Sequence, residues 1–239
     1  MELSSARRKG DTPEPQAPAA LEADGLKSVG ARRSPWPDGS TVRRALDVFV
    51  AVHLMALAAP FLAIGMAAVW WSGGRPIFFG HERVGRGGRP FLCWKLRTME
   101  TGAEARLEED AELKRRYLED GFKLPDRDDP RLLAGTGWLR RSHVDELPQL
   151  LNVLKGDMSL VGPRPLVKDE VALYGEGRWA LLSRRPGITG AWAALGANRP
   201  PYPERAEIEL EYMRRANLRV DLMILLRTAR VVLGRWTRG

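Results

Sequence analysis

Cysteine is almost absent: Cys93 stands alone among 239 residues, so no intramolecular disulfide framework can form. Histidine is scarce too, at three residues, and no Cys/His cluster has the spacing of a structural zinc site. The start of the chain lacks the early apolar run with a cleavage site that marks a secretory signal. No internal repeat is found. These absences favour a reducing, cytosol-facing environment. What is plentiful is positive charge, with 38 Lys and Arg against 30 Asp and Glu, a formal charge of +8 and a pI near 10.0. Such a balance points to anionic partners, and on charge alone nucleic acid, anionic lipid and phosphorylated substrates all qualify. The length and the 44% hydrophobic content suit one sizeable core with appendages.

Residues 1–40 carry Pro13, Pro15, Pro18, Pro35 and Pro37 without apolar periodicity, and are expected to form a disordered tail. Residues 41–74 are expected to be a membrane anchor. From Val48 to Trp71 the segment VFVAVHLMALAAPFLAIGMAAVWW has His53 as its only ionisable group and is long enough to cross a bilayer. Pro60 lies at its centre, where proline removes a backbone hydrogen bond. Basic residues flank both ends, Arg43 and Arg44 before it and Arg75, Arg83, Arg86 and Arg89 after it. Positive charge marks the cytosolic side, so the pattern favours a helix broken at Pro60 that enters the membrane and returns. An ordinary spanning helix with a proline kink is the alternative.

Residues 75–239 are expected to form the cytosolic domain. Short strands are expected at 76–79 and 91–96, separated by a turn over Gly85 to Pro90. Ala103 to Leu118 reads as a solvated surface helix. Helices are expected over 204–215 and 220–233; the second alternates Leu222, Met223, Leu225, Leu226 and Val232 with Arg219, Arg227, Arg230 and Arg235. Such a helix suits either an anionic membrane surface or ordinary packing with its arginines in water.

The segment RRSHVDELPQLLNVLKGDMSLVGPRP, Arg140 to Pro165, is the richest in chemistry. Leu147, Leu150, Leu151 and Leu154 recur at helical spacing, and Gly156 is placed to end the helix. Pro148 is tolerated only near a helix start, which puts Asp145 and Glu146 at the N-terminal end, where the dipole favours carboxylates. Adjacent carboxylates can divide labour, one holding a divalent cation while the other attacks or takes a proton; an acidic helix cap is the plainer reading. Arg140, Arg141, Lys155 and Arg164 surround them in sequence, with Lys95 and Arg97 upstream. Arginine forks match phosphate oxygens and lysine adds a point charge.

The ordered set Asp145-Glu146-Leu147-Pro148-Gln149-Leu150, Asn152-Val153-Leu154-Lys155-Gly156-Asp157-Met158-Ser159 and Pro163-Arg164-Pro165 resembles the bacterial sugar transferase family. These are the monotopic polyprenyl-phosphate phosphoglycosyl transferases, and the chain resembles their short form. Agreement continues in Glu82-Arg83-Val84-Gly85, Lys95-Leu96-Arg97-Thr98-Met99 and Pro186-Gly187-Ile188-Thr189-Gly190, and covers about Arg43 to Gly234. The resemblance implies an α+β fold: a small, mainly helical catalytic domain with short strands, anchored at the cytosolic face of the bacterial inner membrane by a re-entrant helix broken at Pro60. It implies a UDP-sugar donor and a polyprenyl phosphate acceptor, with Asp145 as nucleophile, UMP as leaving group and Glu146 as ligand of Mg2+. Lys95, Arg97, Arg140 and Arg164 are the residues expected around the phosphates. Anionic membrane lipid is an expected partner and nucleic acid is not, because carboxylates amid the basic residues repel a polyanion unless a cation intervenes. The rival is a basic, membrane-attached binding module without catalysis. Departures from the family pattern fall at Ala59, where serine is frequent, at His143, and in AWAALGANRP after Gly190.

Overall fold

The computed structural model describes residues 41–120, 122 and 124–236; the expected N-terminal tail lies outside them. The apolar segment is helix α1, Thr41–Gly73, which contains Pro60 and continues through it. The division into two helices expected at Pro60 is not seen. Proline deletes one backbone bond, but Ala58, Ala59, Leu62 and Ala63 around it favour helix and sustain the turns on either side.

Both ends of α1 are tied to the remainder of the chain. Near its start the Arg44 guanidinium donates to the carbonyls of Val153 and Leu154, at 2.6 and 2.9 Å. One turn later Asp47, buried, accepts from the Ser159 hydroxyl at 2.8 Å and the Leu160 N–H at 3.0 Å. At its end the carbonyl of Gly73 accepts from Arg97 at 2.7 Å. Leu57, Phe61 and Ile64, between these tethers, are exposed. Gly65 permits close packing: a Cβ there would sit 2.7 Å from Leu96 Cδ1.

Strands β1, Phe78–Val84, and β2, Pro90–Leu96, form an antiparallel hairpin with Phe79 opposite Lys95 and His81 opposite Cys93. The first strand runs further than expected, through His81, Glu82 and Arg83. A two-stranded ribbon leaves much of its surface in water, so polar residues do not stop it. The glycine-rich turn falls where expected, with Gly87 at a φ of 69°. The charged stretch splits into α2, Ala103–Glu109, and α3, Ala111–Glu119, because the Asp110 carboxylate accepts the Leu113 N–H and begins a new helix.

Helix α4, Gly137–Ser142, leads through a 3-10 turn at Val144–Glu146 to α5, Gln149–Lys155, which Gly156 ends at a φ of 93°. Asp145 and Glu146 thus sit one short turn ahead of α5. Its buried side is Gln149, Leu150, Asn152 and Val153, with Leu147 and Leu154 partly buried against the core; of the expected leucine stripe Leu151 alone faces water. Strands β3, Ser159–Val161, and β4, Gly187–Thr189, pair in parallel. Between them lie α6, Lys168–Ala172, and α7, Arg178–Leu181; α8, Glu204–Arg215, and α9, Leu218–Trp236, close the described chain. The result is the expected mainly helical α+β architecture.

Among the described residues three apolar clusters fill the interior. The largest joins Ala51 of α1 to Cys93, Leu150, Val153, Met158, Met213 and Ile224. A second holds Leu166, Val171, Leu181 and Ala206, and a third joins Val69 of α1 to Leu96, Leu139 and Val144. Helix α1 therefore contributes to two of the three clusters.

Candidate active site

One face of the hairpin, α5, the loop after β3 and the β4 segment enclose a cleft of about 460 Å³, solvent at its mouth included. Lys95 and Glu146 meet across it, with Nζ 2.7 Å from Oε1. What sets this approach is Asn152, fully buried on α5, whose side chain bonds the edge of β2 as a further strand would. Its Oδ1 accepts the Trp94 N–H at 3.0 Å and its amide donates to the Leu92 carbonyl at 2.7 Å. Helix and strand are locked in register, and the residues flanking the lock face each other. Partial burial works to raise the Glu146 pKa, but the charges of Lys95 and Arg164 outweigh it and hold the carboxyl far below the ordinary range. It is an anion at every physiological pH.

Arg164 enters from the loop after β3. Glycines bring this loop hard against β4: a Cβ on Gly162 would lie 2.4 Å from the Arg185 carbonyl oxygen, and one on Gly187 would lie 2.1 Å from the Gly162 nitrogen. The Arg164 backbone N–H donates to Glu209 Oε1 at 3.1 Å, and the other Glu209 oxygen accepts from the Tyr174 hydroxyl. Burial pushes the Glu209 carboxyl up, while Arg205, Tyr174 and Arg164 oppose it. Arg83 is the third cation on the wall. His81 Nδ1 accepts from it at 3.0 Å and Glu170 lies 3.5 Å away; the other Glu170 oxygen takes buried Arg205 at 3.0 Å.

The structure thus brings Lys95, Glu146 and Arg164 together and separates the other candidates. Arg97 is buried away from the cleft, its guanidinium donating to the carbonyls of Gly73, Gly74, Pro76 and Met99. Its fork holds the end of α1. Arg140 pairs with Asp126 at 3.0 Å, outside the lining, and Lys155 lies over the Trp94 ring. Asp145 is buried and does not line the cleft, although both its neighbours in the 3-10 turn are fixed by backbone bonds.

Arg83, Gln149 and Thr189, which the sequence offered only as members of motifs, line the cleft together with the unforeseen Glu209, and Asn152, likewise a motif member, braces it. Glu209 carried a signal: with Arg205, Ala206, Tyr212 and Met213 it occupies the buried face of α8, an unusual place for a carboxylate.

No group of three or more His, Cys, Asp or Glu side chains converges as a metal site among the described residues. A Mg2+ ion held by one or two carboxylates, with substrate phosphates as further ligands, does not need such a group. Glu146, a hard oxygen donor kept ionised beside Lys95 and Arg164, fits this mode.

The family model for bacterial sugar transferase matches residues 39–235. "Undecaprenyl-phosphate galactose phosphotransferase" of Salmonella typhimurium is 39% identical over 81% of this chain and 41% of its own length. "Exopolysaccharide production protein ExoY" of Rhizobium meliloti is 38% identical over 80% of this chain and 85% of its own. "UDP-galactose-lipid carrier transferase" of Erwinia amylovora is 39% identical over 81% and 41%. The chain spans less than half the length of the first and third of these relatives and most of the second. A cleft that sets an ionised carboxylate among three cations, built from the motifs that the family model covers, leaves one assignment: the chain belongs to the bacterial sugar transferase family.

Proposed function

We propose that this chain transfers a hexose-1-phosphate from a UDP-sugar to polyprenyl phosphate, releasing UMP, at the cytosolic face of the bacterial inner membrane. The observation that carries the reading is the cleft itself, where Lys95, Arg83 and Arg164 surround Glu146 beside a long apolar helix. Phosphoryl transfer needs positioned cations to carry the charge of its transition state more than it needs acid–base groups.

Asp145 is the proposed nucleophile. Its carboxylate oxygen forms a bond to the sugar-bearing phosphorus as the bond to UMP breaks, and UMP leaves with the electron pair. An oxygen of polyprenyl phosphate then bonds to the same phosphorus and the carboxylate is restored; no proton is required in either step. Asp145 adjoins Glu146 in the 3-10 turn but does not line the cleft, so this route requires its carboxylate to turn into the cleft when the donor binds. Bound Mg2+ would neutralise diphosphate charge, with Glu146 as its ligand. Lys95 and Arg164 hold the phosphates.

The two ends of α1 support a helix that stays on one side of the bilayer. Arg44 near its start and the Gly73 carbonyl at its end bond to one domain, so a spanning helix would put parts of that domain on both sides of the bilayer. On α9, Leu218, Leu222 and Leu226 are exposed beside Arg219, Arg227 and Arg230, a surface suited to anionic lipid.

The test uses Asp145→Asn with Mg2+, a panel of UDP-sugars and polyprenyl phosphate. The parent should release a stoichiometric burst of UMP without acceptor and gain the mass of one sugar phosphate. The variant should lose burst and lipid product. Strict dependence of UMP release on the acceptor, with no adduct trapped, would replace the covalent route by direct transfer. Absence of UMP release from the parent with lipid binding intact would leave a non-catalytic module.

A further inference from the structure

Directly opposed residues of an antiparallel pair project from the same face, and faces alternate along each strand. One face of the hairpin therefore carries the pairs Phe79 with Lys95, His81 with Cys93, and Arg83 with Phe91. Arg83, Cys93 and Lys95 line the cleft, so this is its wall. The wall has two unlike ends. At the turn end Val84 bridges to Leu166 and Gly87 bonds to Leu182, so Arg83 stands next to the Arg164 loop and β4. At the open end the wall finishes on Phe79, whose ring lies 5.9 Å from that of His81 and remains 38% exposed.

That open end adjoins the membrane helix. Phe79 follows the last residue of α1 by six positions, and the exposed rings of Trp70 and Trp71 lie in the final turn of α1. The other face of the hairpin, at Leu96, packs on Val69 of α1. Along this face cations thus grade into aromatic surface toward the end of the hairpin nearest the end of α1 in the chain, with Lys95 at the boundary.

We propose that Phe79 seats the first isoprene units of the lipid acceptor, so that its phosphate reaches Lys95 while its chain leaves toward Trp70 and Trp71. This rests on the transfer reaction proposed above. An isoprenoid phosphate is an anion joined to a long apolar chain, and the Phe79–Lys95 pair offers the matching sequence of surfaces. The nucleotide end of the donor belongs at the opposite end, among Arg83, Arg164 and the β4 backbone.

Phe78 provides an internal control. It has the same 38% exposure but pairs with Leu96 and projects from the other face. Full-length Phe79→Ala, Phe79→Leu and Phe78→Ala are assayed in detergent micelles with polyprenyl phosphate and the UDP-sugar that the parent turns over best. Phe79→Ala should raise the acceptor KM about tenfold and leave the donor KM within about twofold. Phe79→Leu should recover most of the loss, and Phe78→Ala should match the parent. An acceptor KM unchanged in Phe79→Ala overturns the inference, as does a rise confined to the donor KM, which would give Phe79 to the sugar. Equal defects in Phe78→Ala and Phe79→Ala also overturn it, in favour of general membrane contact. A parent that releases no UMP from any UDP-sugar removes the transfer reading and this inference together, so the two failures are distinguishable.

Discussion

At the scale of single residues, His81 shows how the cleft face affects a base. Burial, and then the charges of Arg83 and Lys95, lower its pKa from 6.5 to about 4. The folded chain therefore favours the neutral ring, whose Nδ1 accepts from Arg83. The contribution to stability is complete above about 6.5 and is lost progressively as pH falls toward 4, because the unfolded chain protonates first. His81→Asn keeps an acceptor near Arg83 without this titration. Between pH 6.5 and 4 the melting temperature of the parent should fall about 2–4 °C further than that of the variant. Parallel melting curves across this range would remove His81 from the pH dependence.

At the scale of elements, the contact between α5 and β2 depends on one buried amide. Asn152→Ala leaves the Trp94 N–H and the Leu92 carbonyl without their partner, which should cost about 3 kcal/mol. It should also lower kcat, since the Lys95–Glu146 approach is set by the same contact. Denaturant midpoints and turnover together check this; a stable variant with parental turnover would mean that other packing fixes the register. This brace was not visible in the sequence, where the leucines at 147, 150 and 154 mark the packed side but nothing marks the amide beside them. The hairpin, α8 and α9 were legible because apolar patterning and Gly85 to Pro90 mark them. Strands β3 and β4 were not, since Ser-Leu-Val and Gly-Ile-Thr are too short to show a period. Among the basic candidates, composition is equally silent. Arg97, Arg140 and Arg164 look alike on paper, and they differ in whether carbonyls, Asp126 or the cleft receive the guanidinium.

At the scale of the molecule, the topology of α1 is open to direct measurement. Val42 in the first turn of the helix and Arg75 just past its end are exposed, and the native Cys93 is buried and shielded. Cysteines placed at 42 and 75 should both react with a reagent confined to the cytosolic side; periplasmic labelling of either one would establish a spanning helix. The contribution of α1 to the interior also constrains how the protein can be handled. Deleting residues 41–74 would remove Ala51 and Val69 from two core clusters, strip Ser159 and Leu160 of the Asp47 carboxylate, and free the guanidinium of Arg97 from two of its carbonyls. Anchor and catalyst are one folding unit, so truncation is the wrong route to a water-soluble form. A soluble form should instead keep the helix and replace only its outward residues, Phe49, Leu57, Phe61 and Ile64 among them, with polar side chains.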